Sequence, residues 1–341
     1  DLSTDDNLSG VRDITLPDGS VVDADTAKYT ADKNGVYNFS VRDYCGNILT
    51  YPVEVSNIDR LAPVADYEVM PGDWTNKPVT IHVTAADPKP EDGYAPSGVK
   101  SITLPDGTVV EGDTADFVAE ANGKYDFIIT DNGGNTFTLH TEVSNIDYLT
   151  PEAEYSVTPD VWTNGPAAIH VTVRDPEPED GYAPSGVQSI TMPDGTVVEG
   201  DAADFTVSVN GTYDFIITDN GGNTFTLHTG VSNIDHLAPE AEYSVTPDIW
   251  TNGPAAIHVT ATDPEPEDGY APSGVQSITL PDGTVVDGDA ADFTVSVNGT
   301  YDFIITDNGG NTATLHAEVG NVDTARPTVD FHFEPLDGGD R

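Results

Sequence analysis

The chain has 341 residues, of which 59 are acidic and 12 basic, for a net charge of −47. That balance excludes a nucleic-acid partner, which needs clustered Lys and Arg against phosphate, and it opposes docking on an anionic membrane. The length suits about three ordinary domains, and 32 Gly and 25 Pro among many Thr, Val and Ile point to short strands and tight turns, not helices.

Taken in chain order, the sequence repeats itself. Gly10 opens a segment that returns at Gly98, Gly186 and Gly274 as Gly-Val-Lys/Gln-Ser-Ile-Thr, an interval of 88 residues. Trp-Thr-Asn starts at Trp74, Trp162 and Trp250. Asp-Asn-Gly-Gly-Asn starts at Asp131, Asp219 and Asp307, with the variant Asp43-Tyr-Cys-Gly-Asn before them. Asn-Ile-Asp ends at Asp59, Asp147 and Asp235, and Asn-Val-Asp ends at Asp323. The expected organisation is an incomplete repeat over 1–59 lacking its first two strands, full repeats over 60–147, 148–235 and 236–323, and a tail over 324–341. In that tail Pro327-Thr-Val-Asp-Phe-His-Phe-Glu-Pro335 matches the first strand of the preceding repeat.

Within 148–235 seven strands are expected: Glu152–Thr158, Ala167–Val173, Val187–Met192, Thr196–Val198, Asp204–Val209, Thr212–Thr218 and Thr224–Val231. Ile169, Val171 and Val173 share one face opposite His170 and Thr172, and Tyr213, Phe215 and Ile217 alternate in the same way. A period of two with one apolar face means half-buried antiparallel strands. This ordered pattern rules out disorder as the reason for the acidity. Asn210-Gly211, repeated at Asn34, Asn122 and Asn298, carries the signal of a type I′ hairpin turn. Pro193-Asp194-Gly195 marks another tight turn. The fold class is therefore all-β, with tandem β-sandwich repeats of about seven strands in an elongated rod; a barrel of similar strand number is the rival.

The residues Trp162-Thr-Asn-Gly-Pro166, Ser185-Gly-Val-Gln-Ser-Ile-Thr191, Asn210-Gly-Thr-Tyr-Asp-Phe215, Asp219-Asn-Gly-Gly-Asn223 and the linker Asn233-Ile-Asp235 before Ala238-Pro239 resemble the bacterial Ig-like domains that form tandem arrays on surface proteins and adhesins. The resemblance covers nearly the whole chain. It implies an Ig-like sandwich, an extracellular or bacterial cell-surface location, and a role as spacer or binder. The chain departs from that pattern in a long acidic insert, Asp175-Pro-Glu-Pro-Glu-Asp-Gly-Tyr-Ala-Pro-Ser185, and in its low Lys content. Cys45 is the sole cysteine, so no intrachain disulfide forms. An isopeptide crosslink is excluded over 148–323, which holds no Lys. No apolar run of membrane-spanning length is present.

Chemistry is expected at the repeat junctions. In an Ig-like sandwich the incoming linker, the loop after the second strand and the loop before the last lie at one end. This geometry groups Asp59 with Asp87, Asp92 and Asp131; Asp147 with Asp175, Asp180 and Asp219; and Asp235 with Asp263, Asp268 and Asp307. Clustered carboxylates repel one another without a cation, and oxygen ligands from three segments suit Ca²⁺. The competing reading is that these Asp residues cap turns. His82, His170 and His258 fall on the second strand and His140, His228 and His316 on the last, as exposed strand positions. Trp74, Trp162 and Trp250, with Tyr94, Tyr182 and Tyr270 of the insert, are expected to plug the core or pack loops, with sugar stacking as the alternative.

No unit carries a motif that the others lack, so the chain is not expected to be an enzyme. The primary functional expectation is a structural stalk with calcium-stiffened junctions, each repeat's partner being its neighbour. One alternative is a filament in which one copy's tail completes the next copy's head. Another is a module binding a glycan or host protein, marked by differences between units such as Ala313 in place of Phe137 and Phe225.

Overall fold

A computed structural model describes residues 1–334, which form β-strands and no helix. The chain divides into two compact units. The first contains Asp1–Thr150 with the loops Asp175–Gly186 and Asn220–Asn223; the second contains Pro151–Arg174, Val187–Asp219 and Thr224 onward.

The strands of the first unit are β1 (Leu2–Ser3), β2 (Val11–Thr15), β3 (Val21–Val22), β4 (Thr26–Ala27), β5 (Gly35–Asp43), β6 (Ile48–Val55), β7 (Val64–Met70), β8 (Val79–Ala86), β9 (Val99–Thr103), β10 (Val109–Glu111), β11 (Thr114–Ala119), β12 (Gly123–Asp131) and β13 (Thr136–Val143). A three-stranded sheet of order β11-β8-β7 faces a four-stranded sheet of order β10-β9-β12-β13, all antiparallel. Alternation explains why they pack. Val79, Ile81 and Val83 of β8 point inward against Ile102, Phe127, Ile129 and Leu139 of the facing sheet, while His82 and Thr84 point outward. Phe117 meets Phe127 edge-on at 6.1 Å between ring centroids. Residues 1–59 supply the four-stranded sheet β3-β2-β5-β6 and a short β1–β4 pair around Ile14 and Phe39.

The second unit repeats the arrangement twice. Its strands are β14 (Glu152–Thr158), β15 (Ala167–Arg174), β16 (Val187–Thr191), β17 (Val197–Glu199), β18 (Ala202–Val207), β19 (Gly211–Asp219), β20 (Thr224–Val231), β21 (Glu240–Thr246), β22 (Ala255–Thr262), β23 (Val275–Thr279), β24 (Val285–Asp287), β25 (Ala290–Val295), β26 (Gly299–Asp307) and β27 (Thr312–Val319). Sheet β14-β15-β18 faces β17-β16-β19-β20, and β21-β22-β25 faces β24-β23-β26-β27. These are two-sheet sandwiches, not closed barrels.

Two local expectations are corrected. The fifth strand was expected over Asp204–Val209 and runs over Ala202–Val207. Gly200, at φ +105°, turns the chain with Asp201 directly after β17, so the next strand starts at Ala202. Val209 turns out to solvent, and its carbonyl accepts the Tyr213 hydroxyl at 2.7 Å. The even shift leaves the same side chains on the core face.

The Asn-Gly pairs are also not type I′ hairpin turns. β18 and β19 belong to different sheets, and no non-glycine residue among those described has positive φ. Each Asn is instead a clamp. Asn298 Nδ2 donates to the Val322 carbonyl at 2.8 Å and its Oδ1 accepts the Val322 amide at 2.9 Å. Asn34, Asn122 and Asn210 hold Ile58, Ile146 and Ile234 in the same way.

Residues 324–334 form no strand, and Val329, Phe331 and Phe333 are exposed. A first strand forms ladder bonds only against a second, and no strand among the described residues pairs with this segment. The predicted strand's last residue, Pro335, lies with 336–341 outside the described residues. Replacing Asn298 with Ala should strand both polar groups of Val322 and lower stability by about 1–3 kcal/mol. Urea melts of the variant and parent would measure this.

Candidate metal centre

The junction aspartates come from three kinds of segment. Asp59 ends the linker after β6, Asp87 follows β8 and Asp131 closes β12. A carboxylate oxygen from each lies within 4.8 Å of the others. Asp59 Oδ2 accepts the Ser97 amide at 2.8 Å, and its Oδ1 accepts the Leu61 amide at 3.0 Å. Asp87 Oδ2 accepts the Gly98 amide at 2.6 Å and the Ser97 hydroxyl at 3.2 Å. Asp131, fully buried, accepts the Asn135 amide at 2.7 Å and its side-chain amide at 2.8 Å. The Asp131-Asn-Gly-Gly-Asn135 loop packs tightly against the linker: a Cβ on Gly133 would stand 3.1 Å from the Asp59 Cβ.

The second unit builds the same set from Asp235, Asp263 and Asp307, again within 4.8 Å. Asp235 accepts the Ser273 amide at 2.9 Å, Asp263 the Gly274 amide at 2.6 Å, and Asp307 the Asn311 amide at 2.8 Å. Asp235 and Asp307 are at most 2% exposed. Asp147 and Asp175 lie in the first unit, where they accept the amides of Ser185 at 2.9 Å and Gly186 at 2.6 Å. Asp219 is buried at the end of β19 in the second unit.

One oxygen in each of these two sets has no protein partner. Asp87 Oδ1 and Asp263 Oδ1 are buried and accept no hydrogen bond. A buried polar atom without a partner is costly, and here it is an anionic oxygen beside two further carboxylates. Burial, with the neighbouring charges of Asp59 and Asp131, pushes the Asp87 carboxyl above its ordinary value. Burial and the charges of Asp235 and Asp307 do the same for Asp263. Asp59 is held below its ordinary value, chiefly by the Ser97 amide. At Asp235 burial pushes upward, but the Ser273 hydroxyl and amide and the Leu237 amide outweigh it and lower the carboxyl. These groups of hard oxygens could hold a metal ion.

Asp92, Asp180 and Asp268 are not members of these groups. They dock the acidic insert onto the Asn clamp of the preceding repeat. Asp92 Oδ2 accepts Asn34 Nδ2 at 3.1 Å, Asp180 accepts Asn122 at 3.3 Å and Asp268 accepts Asn210 at 3.3 Å. Their second oxygens cap Tyr94, Tyr182 and Tyr270 amides. The sequence signal for this tie was the fixed spacing of 58 residues between each Asn and its Asp. Tyr182 donates to Glu142 at 3.3 Å, and desolvation followed by the Glu142 charge raises its phenol. Tyr182 thus reaches from the insert to β13 of the preceding repeat, and all three insert tyrosines are half-buried.

The tryptophans do not plug the core: Trp250 is 71% exposed and Trp74 and Trp162 are half-buried. Each precedes a threonine that bridges to the linker, Thr75 to Ile146, Thr163 to Ile234 and Thr251 to Val322. The six strand histidines each pair through Nδ1 with an Asp on the neighbouring strand at 2.6–2.8 Å, as in His82–Asp116 and His140–Asp126. Cys45, exposed, stands where the later repeats have Gly133, Gly221 and Gly309.

No family model and no curated protein matches the chain. Among solved structures, one concerning host cell surface retention of a 1.5-MDa bacterial ice-binding adhesin aligns over 76% of this chain and 97% of its own, at 17% identity and a TM-score of 0.37. A Salmonella alpha-2-macroglobulin reacted with methylamine aligns over 93% of this chain and 28% of its own, at 10% identity and a TM-score of 0.21. A Bacteroides ovatus glucan-utilization protein, SGBP-B, in complex with a mixed-linkage heptasaccharide aligns over 83% and 80%, at 13% identity and a TM-score of 0.17.

The raised carboxyl of Asp263 means that, without a cation, the folded protein holds this proton to higher pH than the unfolded chain does. Its contribution to stability therefore falls as pH rises from the ordinary carboxyl value through the raised one. Asp263→Asn keeps an acceptor for Gly274 and removes the charge. In chelator at pH 7 the variant should melt at or above the parent, and the difference should close as pH falls towards about 4. Asp235 has the opposite sign, its contribution being lost as pH falls through its lowered value. Thermal melts of parent and variant across pH would test the sign.

Proposed function

We propose that the chain is a segment of an extracellular stalk whose repeat junctions bind Ca²⁺ and stiffen when they do. The observation that carries this reading is the junction set in which a linker aspartate and two aspartates of the following repeat bring carboxylate oxygens within 4.8 Å of one another, while one of them, Asp87 or Asp263, keeps a buried oxygen that has no donor. A divalent cation satisfies that oxygen, offsets the mutual repulsion of three carboxylates, and ties the linker to the next sandwich. Ca²⁺ fits better than Mg²⁺, because it accepts six to eight oxygens in irregular geometry whereas Mg²⁺ demands a tight octahedron.

A spacer role is supported by near-identical successive sandwiches, since length matters more to a stalk than the individuality of its units. The acidic surface keeps such a chain soluble and self-repelling. Extracellular fluid supplies the cation at concentrations matching the modest affinity of extracellular modules. Thermal unfolding and small-angle scattering should be compared in calcium and in chelator. A higher melting midpoint and a longer, stiffer particle in calcium are expected. Asp87→Asn and Asp263→Asn together should shrink both responses. Unchanged midpoint and scattering would leave an acidic spacer whose aspartates only cap turns.

A further inference from the structure

The repeats differ most informatively at one place, the cleft between the first and last strands of a sandwich. Both flanking strands are sheet edges, so backbone groups and inter-sheet apolar surface meet there. In the sandwich built from β14–β20 the chain furnishes this cleft itself. Phe225 of β20 stands in it, and Arg174 of β15 forms an ion pair with Glu152 of β14 at its rim. The following sandwich lacks both groups. Ala313 stands in place of Phe225 and Thr262 in place of Arg174.

The consequences are visible in the structure. The cleft is about 550 Å³ where its counterpart is about 420 Å³. Its floor is Ala241, Ile305 and Leu315. Leu227 and Leu139, under their phenylalanines, are 8% exposed, whereas Leu315 is only half-buried. Glu240 and Glu242 remain at the rim, and Glu240 no longer has the arginine that Glu152 has.

We infer that this cleft binds an extended peptide segment of a partner protein, one that carries an aromatic side chain next to an arginine or lysine. The neighbouring sandwich shows the ligand's chemistry: a phenyl ring between the edge strands and a cation on the rim glutamate. A partner strand laid along the edge supplies the same two groups in trans. Strand addition gives affinity through the main chain, and the side-chain pocket gives selectivity. The acidic rim favours a basic segment on approach. This inference does not depend on the junction aspartates.

The test is fluorescence anisotropy of the full chain with a labelled decapeptide that alternates Thr with Phe and Arg, at about 150 mM salt to screen non-specific attraction. The control peptide has Ala for Phe at unchanged charge. The expected result is one saturable site per chain, selective for the Phe peptide. Ala313→Phe, which restores the residue used at 137 and 225, should weaken binding about tenfold or more, and Thr262→Arg should weaken it several-fold. The double change Arg174→Thr with Phe225→Ala should create a second site, a gain that misfolding cannot imitate. Equal binding of both peptides, or binding unmoved by Ala313→Phe, would overturn the proposal. So would a dimer of the unliganded chain abolished by Ala313→Phe, which would make a second copy the occupant.

Discussion

The junction backbone is the most constrained stretch of this chain, and the rest of the architecture depends on it. A short linker between two sandwiches has polar groups that neither sheet can satisfy, yet every one of them must find a partner when buried. At Asn233-Ile234-Asp235 side chains and backbone of the same repeat supply partners. The Asn233 side chain donates to the Pro159 and Val161 carbonyls, each at 2.8 Å. Its carbonyl accepts the Thr163 amide, Ile234 is held on both sides by Asn210, and the Asp235 amide donates to Thr163. Only then is the Asp235 carboxylate presented to Ser273 of the following repeat. The carboxylate itself is held by two amides, Ser273 on one oxygen and Leu237 on the other, beside Asp263 and Asp307.

That arrangement gives the acidity two distinct origins. Most carboxylates are on exposed strand faces or turns, where solvent and paired histidines accommodate them, as at Asp204 with His170. Such exposed pairs contribute little to stability. The junction carboxylates are different because they lie partly or wholly buried beside one another, and burial is the largest cause of the raised protonation equilibrium at Asp87 and Asp263. The same net charge therefore contains a solvated coat and a small set of closely grouped carboxylates that could hold a cation.

Much of the fold was legible because strand alternation is a direct imprint of a half-buried sheet. Ile169, Val171 and Val173 could face only one way, and they do. The grouping of Asp59, Asp87 and Asp131 was legible because a sandwich brings those loops to one end. Asp92, Asp180 and Asp268 were assigned to that group by proximity in sequence to Asp87, Asp175 and Asp263, but the insert carries them away to the preceding repeat's Asn. The Asn-Gly pairs misled for a related reason. Their composition matches a hairpin turn, but the strands they join lie in different sheets, and the side-chain amide is used over 24 residues to the linker. Contacts at that range leave no local signature, and only their recurrence at every repeat makes them visible afterwards. The exposed Trp250 shows the same limit: its hydrophobicity predicts burial, yet the ring is 71% exposed.

The Asn clamp has one more implication. In the first unit Asn34 bonds both Ile58, within its own repeat, and Asp92, within the next. In the second unit Asn210 does the same with Ile234 and Asp268. One side chain thus completes a sandwich and anchors its successor. Melting a repeat frees that amide and removes a neighbour's contact in the same event, so unfolding costs are shared across the boundary. A chain built this way behaves like a one-dimensional lattice with nearest-neighbour coupling, in which loss of order spreads from an end inward more readily than it starts in the middle.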